Sequence, residues 1–137
     1  MQALLKALQL HFDASSKLAA RFPDGLVALR GFRDSALPNC VCRIENNSPA
    51  YSTGNDILSY YSVRITVYSD DGDFVIAAIK DLEAVFNECS LLIDDENIDF
   101  IRCYMTAKDI DVDDENVVQG NLQFEVWLQE QITAIAN

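Results

Sequence analysis

Along the first twenty residues, Leu4, Leu5, Leu8 and Phe12 recur at the three-to-four-residue spacing of one buried helical stripe. The spacing predicts a helix over 2–20, with a break possible where Asp13, Ser15 and Ser16 weaken its second half. Phe22-Pro23-Asp24-Gly25 ends it, because Pro cannot continue a helix and Gly supplies a positive φ. Residues 26–38 follow neither period. Leu37-Pro38 then opens a strand over 39–46, with Cys40, Cys42 and Ile44 on one side and Val41, Arg43 and Glu45 on the other. The turn-forming residues of 46–56 predict the tip of a long hairpin. Its return strand spans 57–68, where Tyr61, Val63, Ile65 and Val67 form an inward set and Tyr60, Ser62, Arg64, Thr66 and Tyr68 an outward one.

Asp70-Asp71-Gly72-Asp73 closes that strand and starts a helix over 73–88, since acidic residues there accept the free N–H groups of a first turn. Val75, Ile79, Leu82 and Phe86 are its buried stripe. Next come an acidic loop at 94–97, a strand over 98–107, a second acidic loop over 109–116 and a last strand over 121–130. In the last strand Leu122, Phe124, Val126 and Leu128 alternate with Asn121, Gln123, Glu125, Trp127 and Gln129. The order helix, strand, strand, helix, strand, strand predicts a single α+β domain over 1–137. It would be an antiparallel sheet of four or more strands with helices packed on one face. No internal repeat or linker interrupts it.

Half of the 137 residues are apolar, enough for a core at this length. Ten Lys and Arg against 22 Asp and Glu give a net charge of −12, which opposes sequence-specific nucleic-acid binding and anionic membranes. The apolar N-terminal residues are interrupted by Lys6, Gln9 and His11, so no signal peptide is expected, and no stretch has the length of a membrane span. Cys40, Cys42, Cys89 and Cys103 are expected as free thiols in a reducing cytoplasm.

Candidate chemistry is sparse. His11 is the single histidine and sits in an amphipathic helix, so it reads as a helix residue and not as a catalytic base. No nucleophile elbow, phosphate loop or zinc-helix motif is present, and the abundant carboxylates fall mostly in loops. Asp109, Asp111 and Asp113 copy the first three ligand positions of a calcium-binding helix-loop-helix. The match fails where Asp114 replaces the turn Gly and Gly120 the bidentate Glu. The chain is therefore expected to be no enzyme, with no catalytic residue, no metal and no cofactor. The outward aromatics, Trp127 above all, suit a protein–protein patch. The expected contact residues are Tyr51 and Thr53 in the hairpin tip, Asp109, Asp111, Asp113 and Asp114 in the acidic loop, and Trp127.

Taken in order, these pieces resemble the tail terminator and minor tail-completion proteins of long-tailed, lambda-like phages. The resemblance rests on the N-terminal helix, Phe22-Pro23-Asp24-Gly25, Leu37-Pro38-Asn39-Cys40-Val41-Cys42, and the polar hairpin with Ala50-Tyr51-Ser52-Thr53-Gly54. It continues in Tyr61-Ser62-Val63-Arg64-Ile65-Thr66-Val67-Tyr68, and in Asp111 to Asn116 leading into Gly120-Asn121-Leu122-Gln123-Phe124-Glu125-Val126-Trp127. It covers about residues 1–130, and order and spacing carry it. It implies a homo-hexameric ring when assembled, acting in the host cytoplasm during assembly and then in the virion tail; the repulsion between copies at −12 predicts a largely monomeric isolated subunit at low ionic strength. The ring would cap the tail-tube protein, stop its growth and meet a head–tail connector protein, with DNA passing through it. The alternatives are another neck or tail-completion protein of similar fold, an acidic protein–protein interaction or inhibitor module, and a small hydrolase or ligand-binding domain. A gene neighbourhood with tail-tube and tape-measure genes would favour the tail reading.

Overall fold

The computed structural model describes residues 2–28, 37–46, 51–53, 56–112 and 116–131; the side chains of 46, 51–53 and 56 lie outside that description. Its elements are α1 (Gln2–Asp13), α2 (Ser16–Arg21), β1 (Leu26–Ala28), β2 (Asn39–Asn46), β3 (Tyr51–Thr53), β4 (Asp56–Ser69), α3 (Gly72–Phe86), β5 (Ile98–Val112) and β6 (Val118–Gln131). This is the expected α+β architecture, one sheet with the helices packed on it.

The N-terminal helix does break where expected. Ala14 and Ser15 separate α1 from α2, and the Ser15 hydroxyl accepts the Leu18 N–H as an N-cap. Asp71 caps α3, its carboxylate accepting the N–H groups of Asp73 and Phe74 at 3.0 and 3.4 Å, an arrangement worth about 1 kcal/mol.

Strands run in the order β1-β2-β4-β6-β5. β4 and β6 pair antiparallel along their whole lengths, from Asp56 opposite Gln131 to Ser69 opposite Val118. β2 covers the other side of β4 from Tyr61 to Tyr68, and β3 covers the same side at Asp56 to Leu58. β5 pairs only β6 and is an edge of the sheet. Its register shifts between Phe100 and Arg102 and again between Met105 and Ala107, two bulges in one strand. The Met105 N–H is taken by the Asn87 side-chain oxygen at 2.9 Å.

Four departures from the sequence reading have physical reasons. β1 was not foreseen because three residues, Leu26–Ala28, give too short a run for a period; it adds a parallel pair with β2 to an otherwise antiparallel sheet. The expected hairpin tip holds a strand: Tyr51 to Thr53 ladder onto β4 despite the turn-forming residues around them. β5 runs to Val112, so Asp109 and Asp111 belong to a strand and not to a loop. β6 begins at Val118, three residues earlier than expected.

One face of the sheet carries the core. Cys40, Cys42, Val63, Ile65, Val67, Leu122, Phe124, Val126 and Leu128 meet Val75, Ala78, Ile79, Leu82 and Phe86 of α3 and the stripe Leu4, Leu8, Phe12 and Leu18 of α1 and α2. Aromatic edges join the layers, with Phe86 5.3 Å from His11 and 5.9 Å from Phe124. His11 meets the Val85 carbonyl through Nε2 at 2.8 Å, and the Arg21–Asp81 ion pair ties α2 to α3 at 2.7 Å. Toward the Gln131 end of β6, the Tyr61 hydroxyl donates to Glu130; burial, and then the Glu130 charge, push it up to about 12. All four cysteines are free thiols. Burial pushes Cys42 up to about 12 and Cys40 well above its ordinary value, whereas contact with the Cys103 thiol lowers the half-exposed Cys89.

Candidate protein interaction surface

Because side chains alternate along a strand, packing the helices against one face leaves the other set of residues on the opposite side of the sheet. Among the described residues no element covers that open face. Its rows follow from register. Tyr60 of β4 stands opposite Trp127 of β6, which stands opposite Arg102 of β5. One row along, Ser62, Glu125 and Tyr104 align, and in the next Arg43, Arg64, Gln123 and Ala107. Beyond these lie Thr66, Asn121 and Asp109, then Tyr68, Gln119 and Asp111.

The first two rows form one cluster around Trp127. Its ring stacks on Tyr60 with centroids 4.8 Å apart and planes at 25°. Its indole N–H donates to Glu125 Oε1 at 2.7 Å, and the Tyr104 hydroxyl donates to the same oxygen. The Arg102 guanidinium lies 4.6 Å over the Tyr104 ring. Tyr104 is held above its ordinary value, first because Glu125 accepts its proton-bearing hydroxyl. Trp, Tyr and Arg are the residues that most often dominate binding energy, and here the shared Glu125 acceptor holds Trp127 and Tyr104 in place.

The next row is basic. Arg43 and Arg64 are directly opposite across β2 and β4, both exposed, and with Glu45, Ser62 and Gln123 they line a shallow depression of about 130 Å³. The last two rows are a polar chain: Thr66 donates to Asn121, and Asn121 Nδ2 donates to Asp109 at 2.8 Å.

Of the expected contact residues, Trp127 lies in the aromatic cluster and Asp109 and Asp111 on the same open face. The structure does not bring these groups together: Trp127 lies six positions beyond Asn121 along β6, roughly 20 Å of strand. Tyr51 and Thr53 sit on β3 by their backbone, their side chains outside the described residues, as are Asp113 and Asp114. Tyr60, Arg102, Tyr104 and Glu125 were not singled out as contact residues. The outward parity of Tyr60 and Glu125 was legible; that of Arg102 and Tyr104 was not assigned, because the bulges of β5 interrupt its alternation, and the convergence of all four depends on which strands pair. Among the described residues no three His, Cys, Asp or Glu side chains form a metal-holding group, and no helix is long and apolar enough to cross a membrane.

No protein-family model matches the chain, and no curated protein matches it in sequence. Its fold is shared with a solved chain from the virion of a native gene transfer agent particle, at a TM-score of 0.75 and 13% identity. The match spans 93% of this chain and 96% of the other. At that identity the likeness is one of fold, and it extends over nearly the whole length of both chains.

Proposed function

We propose that this chain is a non-catalytic structural subunit of a phage or prophage virion, and within that class a ring-forming tail terminator. The observation that carries the reading is the end-to-end fold likeness to a chain of the virion of a gene transfer agent particle. The open face supports it, because a Trp–Tyr–Arg cluster, its Trp127 and Tyr104 hydrogen-bonded to Glu125 and its Arg102 lying over the Tyr104 ring, suits docking of a protein surface. The order of sequence features adds the finer role. The subunit would close into a hexameric ring on the last layer of tail-tube protein, stop growth there and present a surface to the head connector.

Deleting the gene from the phage or prophage and imaging the particles tests this. A terminator's absence leaves tails of uncontrolled, excessive length. Tails of normal length that fail to join heads would move the assignment to a neck or completion protein, and normal infectious particles would remove the virion role. The Trp127→Ala variant gives a second measure. Trp127 is only half-buried, so the fold should survive. Its affinity for the partner surface should fall roughly 30-fold, the size of a central aromatic contact worth about 2 kcal/mol. Calorimetric titration against the tail-tube protein, with thermal melting as the folding control, reads both. Unchanged affinity would clear Trp127 of that contact.

A further inference from the structure

The geometry points to Arg43 and Arg64 as the receptor for Asp109 and Asp111 of a second copy of this chain. The inference rests on the ring reading only in that both require copies to meet; it states where they meet.

The two guanidinium groups occupy directly opposed positions on β2 and β4, an arrangement in which like charges repel. Both are exposed, and among the described residues no carboxylate forms an ion pair with either, in a chain that has 22 acids for ten bases. Among the described residues Arg21, Lys6 and Lys108 pair with Asp81, Asp94 and Glu83, while Lys17, Lys80 and Arg102, like Arg43 and Arg64, form no ion pair; what sets Arg43 and Arg64 apart is that they stand directly opposed. The open face thus carries a small spot where two guanidinium groups outnumber the one carboxylate, Glu45, that lines the same depression, and where among the described residues neither is ion-paired.

The complementary spot lies at the other margin of the same face. Asp109 and Asp111 project from the edge strand β5, both exposed. One oxygen of each is already fixed, by Asn121 Nδ2 and by the Val112 N–H, both at 2.8 Å. The second oxygen of each meets no donor among the described residues. Side chains two apart on a strand stand about 6.6 Å apart, and directly opposed Cβ atoms about 5 Å, so two guanidinium forks can face two carboxylates at once. Within one chain β5 lies two strand spacings from Arg64 and three from Arg43, roughly 10 and 14 Å, and no ion pair bridges that gap. Between copies nothing separates them. Two surfaces of a protein at −12 otherwise repel, so the basic spot is where another copy's acids can approach.

Charge reversal of the full chain tests this by sedimentation over a concentration series at low and moderate sodium chloride. Arg43→Glu with Arg64→Glu should weaken self-association at least tenfold, and Asp109→Arg with Asp111→Arg should do the same. An equimolar mixture of the two variants should restore it, as should the chain carrying all four changes. All four side chains are exposed, and a thermal melt checks that each variant is folded. Self-association unchanged in either double variant, no rescue in the mixture, or a wild-type chain that stays monomeric throughout would each overturn the inference. Retention of double-stranded DNA that the Arg changes abolish, with self-association untouched, would overturn it in favour of a nucleic-acid contact. Tail length in the deletion strain complemented with these variants separates the two proposals. Normal termination by both double variants sinks the contact and leaves the terminator. Rescue by charge exchange in solution, with tail length indifferent to the gene, does the reverse.

Discussion

Phe86→Ala should lower stability by about 3–5 kcal/mol, the usual cost of truncating a buried aromatic ring. Phe86 is fully buried at the C-terminal end of α3, and its ring is where three layers meet, His11 of α1 on one side and Phe124 of β6 on another. Its backbone carbonyl also accepts the Cys103 thiol at 3.4 Å and the Cys89 N–H at 3.3 Å. The cavity left by the ring would border that junction, and α1 would lose part of the surface that seats the His11–Val85 contact. Domains of this size are held by about 5–15 kcal/mol, so the loss is a large fraction of the whole. Urea unfolding is the measurement: the midpoint should drop steeply while the slope stays constant. A loss below about 1 kcal/mol would mean that the layers repack around the gap, against the interdigitated packing of protein cores.

Gly120→Val should be similarly damaging for the opposite reason. A Cβ placed on Gly120 would lie 2.7 Å from Cγ1 of both Val75 and Ile79, so the position is glycine because α3 touches the β6 backbone there. Ala alone forces the helix outward and should cost about 1–3 kcal/mol; the two further methyl groups of Val go beyond that. The signature that distinguishes overpacking from a backbone effect is coupling. Combining Gly120→Ala with Val75→Ala should cost less than the sum of the two, because the second change removes one of the clashing atoms. Strict additivity in thermal or urea unfolding would count against the close approach.

Much of this was legible from alternation. In β4 and β6 one face is buried and the other, Thr66 apart, is not, so the inward sets from Tyr61 to Val67 and from Leu122 to Leu128 could be read residue by residue. Asp71 announced its helix by chemistry alone. β5 was harder because it is an edge: from Ala107 to Val112 every side chain is exposed, so Asp109 and Asp111 alternate with Ile110 and Val112 without marking an interior. The candidate surface was legible only in its pieces. Trp127 stood out as an aromatic among polar neighbours, but stacking on Tyr60 and the shared Glu125 acceptor depend on register. The opposition of Arg43 and Arg64 likewise exists only once β2 is laid against β4 in one alignment.

The two bulges of β5 bear on how the protein survives abundance. A straight fifteen-residue edge offers an unbroken ladder of backbone groups on which an identical edge could zip, then another, toward fibrils. The bulges at Phe100–Arg102 and Met105–Ala107 cut that ladder into short runs, and Asn87 occupies the Met105 N–H between them. Backbone pairing between identical edges is thereby confined to short runs, the longest from Ala107 to Val112 carrying Lys108, Asp109 and Asp111, whose charges oppose it.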